Sequence, residues 1–170
     1  HAAHSNTGTS LVVFEWLQRI TRGTVEAVNR ELDRHAGRLA PQLEAHGGVD
    51  AALLMVTDPK QPSRRQLLSL SDATALTQTA TIGGTEFTWQ VSADGFWQIH
   101  RNAPETLANA AMEMLQLQPG EKVADLYAGA GLFTAPMALA VGAEGRVDSV
   151  EASPITSADA SVNFADQPHV

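Results

Sequence analysis

The sequence predicts an α/β fold built on a parallel sheet, preceded by a smaller α+β segment with a β-hairpin. Past position 93, helical and extended patterns alternate in the order helix, strand, helix, strand, helix, which is typical of parallel strands joined by right-handed crossovers. A glycine turn, Gly129-Ala130-Gly131, joins the first of these strands to the next helix. Ahead of position 94, Gly83-Gly84 separates two extended runs and predicts a two-residue hairpin, because glycine reaches positive φ without steric cost.

The front of the chain combines helical and extended patterns. From Leu11 to about His46, apolar residues recur every three to four positions, which predicts one or two amphipathic helices interrupted near Gly23 and Pro41. After Gly47 the period changes, and four extended segments follow, at 51–57, 66–70, 80–82 and 85–91. The predicted organisation is a flexible tail, an α+β front segment and the N-terminal part of a larger α/β domain: residues 1–10, 11–93 and 94–170.

The back part begins with a helix whose start is marked by Asn102, Pro104 and Glu105. Asn102 is a typical N-cap, Pro104 suits the first turn, and Glu105 would reach back to a free backbone donor. The predicted apolar face of this helix consists of Leu107, Ala110, Ala111, Met114 and Leu117, and Pro119-Gly120 ends it. The elements that follow are a strand at 123–126, a helix at 133–141, a strand at 147–150 and a helix at 153–166.

Composition and charge exclude several classes of protein. The 170 residues, 44% hydrophobic and 18% charged, suffice for one ordinary domain or two small ones. No apolar run approaches the roughly 20 residues that cross a bilayer, and the amino terminus does not resemble a signal peptide, so we expect a soluble, cytoplasmic protein. A net charge of −8 argues against this segment as the main electrostatic anchor for a nucleic acid. Without cysteine there is no disulfide and no cysteine nucleophile, and the histidine spacing predicts no metal site.

The glycine turn is the candidate ligand site, because ligands of open parallel sheets bind beyond the carboxyl ends of the strands. A dinucleotide-binding fingerprint would have a third glycine where this chain has Thr134. This difference argues against a nicotinamide cofactor. Glu151, at the end of the second strand, can accept hydrogen bonds from both hydroxyls of a ribose. Asp125, at the end of the first, suits an ammonium better than a pyrophosphate, and S-adenosylmethionine (SAM) has both features. The alternative is that the glycines only close the turn and that Glu151 is a surface residue.

The back part contains four short motifs: GFWQIH at 95–100, DLYAGAGLF at 125–133, VEA at 150–152 and ASVN at 160–163. In this combination the chain resembles the SAM-dependent RNA uracil-5-methyltransferases over about residues 94–170. The resemblance implies a class I, Rossmann-like methyltransferase domain. It also implies that Gln98, Tyr127 and Glu151 contact SAM and that Gly129 and Gly131 give the cofactor room, with Asp125 in the same site.

The resemblance further implies methyl transfer from SAM to C5 of uridine in tRNA or rRNA. In that chemistry a cysteine thiolate adds to C6, C5 attacks the methyl group and a carboxylate removes the C5 proton. The catalytic cysteine and base are not in this segment, so we expect the segment alone to be inactive and the sheet to be truncated. The complete protein is expected to be a monomer that binds RNA and no membrane. Two alternatives stay open: a class I SAM methyltransferase acting on an amine or hydroxyl, and a non-catalytic binding module.

Overall fold

A computed structural model describes residues 2–4, 10–16, 51–58, 61–69 and 75–170, together with positions 30, 34, 38 and 41. Ahead of residue 75 the strands are described by their backbone. By its internal contacts the chain divides into two compact units, His1–Leu76 and Thr77–Val170. The division lies ahead of the hairpin turn, whereas the sequence placed a boundary at about Ala93. The hairpin is therefore grouped with the α/β part of the chain.

The first unit contains a four-stranded sheet in the order β1 (Ala2–His4), β2 (Ser10–Trp16), β3 (Ala51–Asp58) and β4 (Gln61–Ser69). β2 and β3 are parallel, and the other two pairs are antiparallel. The helical pattern predicted from Leu11 onward is wrong for its first six residues, which belong to β2. Their apolar run is continuous, and a short continuous run cannot be assigned to helix or strand by its period. Further along the predicted helical region, the four described single positions are helical.

One strand and the first part of another lie outside the extended segments predicted from the sequence. β1 occupies part of the predicted flexible tail, and β4 begins at Gln61, ahead of the predicted segment at 66–70, of which it includes residues 66–69. This first part contains Pro62, which cannot donate a hydrogen bond to a sheet. β4 lies at the edge of the sheet, and an edge strand tolerates proline on its outer side.

A hairpin is formed by β5 (Ala75–Ile82) and β6 (Thr85–Ser92), and from Thr77 onward it belongs to the second unit. Its two-residue turn is formed by Gly83 and Gly84, with φ of 59° and 81°. Both values lie in the left-handed region that side chains disfavour. The hairpin predicted from this glycine pair is confirmed.

Beyond the hairpin, helices and parallel strands alternate: α1 (Ala103–Leu115), β7 (Lys122–Leu126), α2 (Thr134–Val141), β8 (Arg146–Val150) and α3 (Pro154–Asn163). β7 and β8 pair in parallel from Lys122 opposite Arg146 to Leu126 opposite Val150. The predicted α/β class and its Rossmann-like element order are confirmed. The two strands form a sheet by themselves within the described residues. In those same residues no helix is long and apolar enough to cross a membrane.

The start of α1 differs from the predicted capping box. Asn102 occupies the N-cap position, but its backbone is helical (φ −90°, ψ −6°) and its side chain makes no capping bond. The Asn102 N–H instead donates to Nδ1 of His100 at 3.2 Å. A capping side chain needs an extended backbone at the N-cap, so the helical conformation removes that geometry. At the other end, Gln116 closes the helix in a left-handed conformation with φ 48°.

The buried face of α1 is also not the predicted one. Pro104 and Ala108 are buried and Met112 packs against the core, whereas Leu107 and Met114 are 44% and 79% exposed. Asn109 explains this rotation of the helix. Its side chain accepts a hydrogen bond from the Gly83 N–H at 2.8 Å and donates to the Thr81 carbonyl at 3.0 Å, so the face beside Asn109 is held against the hairpin.

The main core of the second unit is centred on Trp89, which is 1% exposed. Its ring lies 5.9 Å from that of Phe87 and 5.3 Å from that of Trp97. Around it lie buried residues of the hairpin, α1, the glycine turn and the end of α3. A smaller cluster, formed by Met137, Ala138, Val141 and Val147, packs α2 against β8. Through Ala130, the glycine turn is therefore part of this core.

The rotation of α1 yields a stability test. Ala108→Leu adds three carbon atoms to a fully buried position and should lower the free energy of unfolding by about 1–3 kcal/mol through overpacking. Ala110→Leu, on the face that the sequence pattern favoured but the structure leaves exposed, should change it by no more than about 0.5 kcal/mol. Urea unfolding of both variants measures the difference. An equal loss in the two would contradict the observed orientation of α1.

Candidate functional site at the glycine turn

The glycine turn and Glu151 lie at the same end of the parallel strand pair. The Gly129 N–H donates to Oε2 of Glu151 at 2.7 Å, and the Ala128 N–H donates to the Val150 carbonyl at 3.1 Å. The first bond connects the loop after β7 to the residue that follows β8. The juxtaposition predicted from the sequence is confirmed.

The two glycines of the turn are required for different reasons. Both have positive φ, 60° at Gly129 and 96° at Gly131. A Cβ at Gly131 would lie 2.2 Å from Cε2 of Phe164, whereas a Cβ at Gly129 would meet no atom within 4 Å. Gly131 therefore gives room to Phe164, and the open space that a ligand could use lies at Gly129.

Tyr127 is held in a costly conformation on the exposed side of the turn. Its φ is 64°, a left-handed value for a residue with a bulky side chain, and the side chain is 89% exposed. Such a conformation costs on the order of 1–2 kcal/mol. Because so little of the side chain is buried, burial does not offset this cost, and the ring is free to contact a ligand.

Asp125 is buried beneath the turn. It is 6% exposed, and its Oδ2 accepts a hydrogen bond from the Thr134 hydroxyl at 2.6 Å. Burial raises the pKa of the Asp125 carboxyl; the hydroxyl and backbone N–H of Thr134 lower it in part, and the charge of Glu151 raises it further. The carboxylate thus connects β7 to the first turn of α2. The structure thus gives Asp125 a contact within the fold, and its predicted contact with a cofactor stays a prediction.

Thr134 was recognised in the sequence only as a missing glycine. In the structure Thr134 is fully buried. Its hydroxyl donates a hydrogen bond to Asp125 and lies 3.2 Å from the Ser149 hydroxyl on β8. A hydroxyl residue at the start of a helix, nine positions after a strand-end aspartate, is the signal that could have indicated this role. Thr134 joins β7, α2 and β8 under the candidate site.

Glu151 differs from Asp125 in its burial, in its hydrogen-bond partners and in the direction in which its pKa is shifted. It is half-buried, and its two oxygens accept hydrogen bonds from backbone amides, Ser153 at 2.6 Å and Gly129 at 2.7 Å. The Ser153 amide first, and the Gly129 amide second, lower the pKa of the Glu151 carboxyl. A carboxylate offers about four acceptor positions. The anion therefore retains acceptor capacity after both backbone bonds are made.

Gln98 lies in the irregular segment between β6 and α1. Its neighbour Trp97 packs against Trp89, which anchors the segment on the core, while Phe96 and Ile99 are exposed. Gln98 itself is half-buried. In the described part of the chain no hydrogen bond connects its side chain to the glycine turn, so its predicted contact with a cofactor stays a prediction.

An open groove of about 650 Å³ runs along β8 and α3, and Glu151 lies in its lining. Ser149, Ser157 and Phe164 line it as well. Volumes of this order are typical of small-molecule sites. Since Glu151 also bonds to Gly129, this carboxylate connects the groove to the turn.

Comparison with known proteins finds similarity to methyltransferases over part of the chain. Residues 90–168, a little under half of the chain, match the family described as protein-L-isoaspartate(D-aspartate) O-methyltransferase. An uncharacterized RNA methyltransferase of Bifidobacterium longum is 42% identical over 93 residues, which are 52% of this chain and 21% of that protein. The 23S rRNA (uracil(1939)-C(5))-methyltransferase RlmD of Acinetobacter baumannii is 48% identical over 58 residues, 34% of this chain and 13% of RlmD. The chain thus spans only a small part of these relatives.

Among solved structures, Trm5b of Pyrococcus abyssi is similar with a TM-score of 0.49 and 18% identity, covering 96% of this chain and 43% of Trm5b.

The lowered pKa of Glu151 gives a pH-dependent test. Its ionised form is stabilised in the folded state, so its contribution is present at neutral pH and is lost as the pH falls through the lowered pKa. Glu151→Gln should lower the free energy of unfolding by about 1 kcal/mol at pH 7. The difference from the parent protein should vanish in acid, as urea titrations between pH 7 and 3 would measure. Glu113→Gln, on exposed α1 surface, is the control; a pH-independent gap for the Glu151 variant would contradict the assignment.

The conformation of Tyr127 predicts a stabilising substitution. Tyr127→Gly removes the steric cost of the positive φ without losing buried surface, and should raise the free energy of unfolding by about 0.5–1 kcal/mol. Tyr127→Phe keeps the cost and should leave stability unchanged. Chemical denaturation of both variants provides the measurement, and a destabilised glycine variant would show that the ring contributes to folding.

Proposed function

We propose that this chain is the cofactor-binding part of a SAM-dependent RNA methyltransferase that methylates C5 of uridine in tRNA or rRNA. The observation that carries the proposal is the carboxylate of Glu151, held by the Gly129 amide beside open space at the turn. Such a carboxylate suits the two hydroxyls of a ribose. The similarity to RlmD supports uracil as the base and rRNA as the substrate. A cytoplasmic location belongs to the same proposal.

The residues at the turn fit a nucleoside cofactor that carries a methyl sulfonium. Glu151 retains acceptor positions for ribose hydroxyls, the exposed Tyr127 ring offers a flat apolar surface, and the absent side chain at Gly129 leaves the backbone open to approach. Gln98 would add an amide contact from the neighbouring segment. We assign Asp125 a different role from these four: it holds the start of α2 and thereby the turn.

When bound, SAM would supply the electrophilic methyl group. The chain's own contribution is to bind the ribose through Glu151 and to fix the turn against which the cofactor lies. The reaction at uracil also needs a thiolate for C6 and a base for the C5 proton. These 170 residues contain no cysteine, so in this proposal the thiolate belongs to residues outside this sequence, and the segment alone transfers no methyl group to uridine.

A second candidate function is methyl transfer to an oxygen acceptor. The match of residues 90–168 to the protein-L-isoaspartate(D-aspartate) O-methyltransferase family favours it, and transfer to a carboxylate needs no cysteine nucleophile. It would use the same cofactor site with another acceptor. The longer identity to RNA methyltransferases makes this the second choice.

The cofactor assignment is tested by calorimetric titration of the full-length protein with SAM. Glu151→Ala removes the acceptor of two ribose hydroxyls and should weaken binding by about 2–3 kcal/mol, or roughly 30- to 150-fold. Glu113→Ala is the matched control, since it removes an exposed glutamate of α1. Unchanged affinity in the Glu151 variant would contradict the ribose contact.

The acceptor is tested by methyl transfer from labelled SAM to unmodified rRNA, to tRNA and to an isoaspartyl peptide. We expect the full-length protein to label RNA at uridine C5 and residues 1–170 alone to label none of the three. Labelling of the peptide but not of RNA would establish the second candidate. Uridine C5 methylation by the cysteine-free segment would overturn the thiolate chemistry.

A further inference from the structure

Two side chains from distant parts of the second unit bind consecutive carbonyls of the glycine turn. The indole N–H of Trp89, on β6, donates to the carbonyl of Gly131 at 3.0 Å. The amide Nδ2 of Asn163, at the end of α3, donates to the carbonyl of Ala130 at 3.0 Å. The hairpin and α3 therefore both hold the turn through hydrogen bonds to its carbonyl groups.

These bonds fix the orientation of the turn's amides, because carbonyl and N–H of one peptide unit lie in one plane. The unit between Ala130 and Gly131 is bound at both ends: its carbonyl accepts from Asn163, and its N–H donates to the Ala128 carbonyl at 2.9 Å. Glycines on both sides of Ala130 would otherwise leave this unit easy to rotate. With the unit fixed, the Gly129 amide is presented to Glu151.

Asn163 is itself rigidly held. Its Oδ1 accepts from the Gln90 N–H at 2.8 Å, and its Nδ2 also donates to the Gln90 carbonyl at 3.1 Å. Both N–H bonds of the amide and its oxygen are thus used. The following residue, Phe164, packs directly on Gly131. Trp89 is equally constrained, since it is buried between the rings of Phe87 and Trp97.

We propose that Trp89 and Asn163 are positioning residues of the cofactor site, and that the β5–β6 hairpin serves as the support of the glycine turn. The assignment rests on the proposed SAM function for its ligand, but the restraint of the turn can be measured without ligand. It gives the hairpin, which the sequence resemblance did not include, a role in binding.

Asn109 provides a matched control. Like Asn163, it is an asparagine on a helix whose side chain bonds to the N–H and carbonyl groups of the hairpin backbone. Unlike Asn163, it donates its remaining N–H to its own helix, at the Glu105 carbonyl, and not to the turn. Asn163→Ala and Asn109→Ala should both destabilise the fold, but only the first should affect the turn.

The experiment compares these variants in the full-length protein by amide hydrogen exchange and by SAM titration, both well below the unfolding temperature. In Asn163→Ala, we expect faster exchange at the amides of residues 129–132. We also expect SAM binding to be weaker by about 5- to 10-fold, which corresponds to the loss of about one hydrogen bond. Asn109→Ala should leave both unchanged. Trp89→Phe, which keeps an aromatic ring and removes the indole donor, should act in the same direction as Asn163→Ala.

Asn163→Asp tests the N–H donor of the Asn163 side chain separately from its acceptor oxygen. It retains an acceptor for the Gln90 N–H and loses the N–H bonds to Ala130 and Gln90, so its turn should exchange as fast as in Asn163→Ala. Unchanged exchange at the turn in both Asn163 variants, or an equal change in Asn109→Ala, would overturn the positioning role. If the parent protein does not bind SAM, the proposed function fails, while the exchange comparison still decides whether the hairpin restrains the turn.

Discussion

The left-handed turn between β7 and α2 is the constraint on which the second unit depends. Three of its residues, Tyr127, Gly129 and Gly131, have positive φ; at Tyr127 this conformation is strained, and the glycines leave the loop free to rotate unless its surroundings hold it. The restraints come from three directions: Glu151 after β8, Trp89 on β6 and Asn163 on α3. Each is a hydrogen bond to the backbone of the turn, while the Tyr127 side chain is exposed and a Cβ at Gly129 would meet no atom within 4 Å. A support on one side and open space on the other is the arrangement expected of a ligand-binding loop.

The two acidic residues at the strand ends have opposite environments and therefore separate tasks. Burial raises the pKa of Asp125, whose carboxyl is bound to Thr134 beneath the turn. Backbone amides lower the pKa of Glu151, which remains half-exposed. The buried group contributes to the joint between strand and helix, and the other is available as an anionic acceptor. The difference lies in their partners, because Asp125 is bound by the buried Thr134 hydroxyl and Glu151 by the backbone amides of Gly129 and Ser153.

The contacts of the β5–β6 hairpin give it a structural role that its sequence did not indicate. As a sequence feature it was only a glycine pair between two extended runs. In the fold it supplies Trp89 to the core and carries the backbone to which Asn163 and Asn109 bind. Its grouping with the α/β part of the chain agrees with a structural role at the candidate site.

The amino-acid sequence was enough to predict the Gly83-Gly84 hairpin, the alternation of helices with parallel strands, and the meeting of Gly129 with Glu151 at one end of the sheet. The first two follow from backbone sterics and from the period of apolar residues, which act over a few positions. The third follows because parallel strands have their carboxyl ends at the same edge of a sheet. Tertiary structure decided which face of α1 is buried, that Gly131 makes room for Phe164, and that Asp125 faces Thr134. It alone could place Trp89 and Asn163 on the turn, 42 and 33 residues away along the chain from the carbonyls that they bind. No local pattern encodes such bonds, because they exist only after packing has brought β6 and α3 to the same loop.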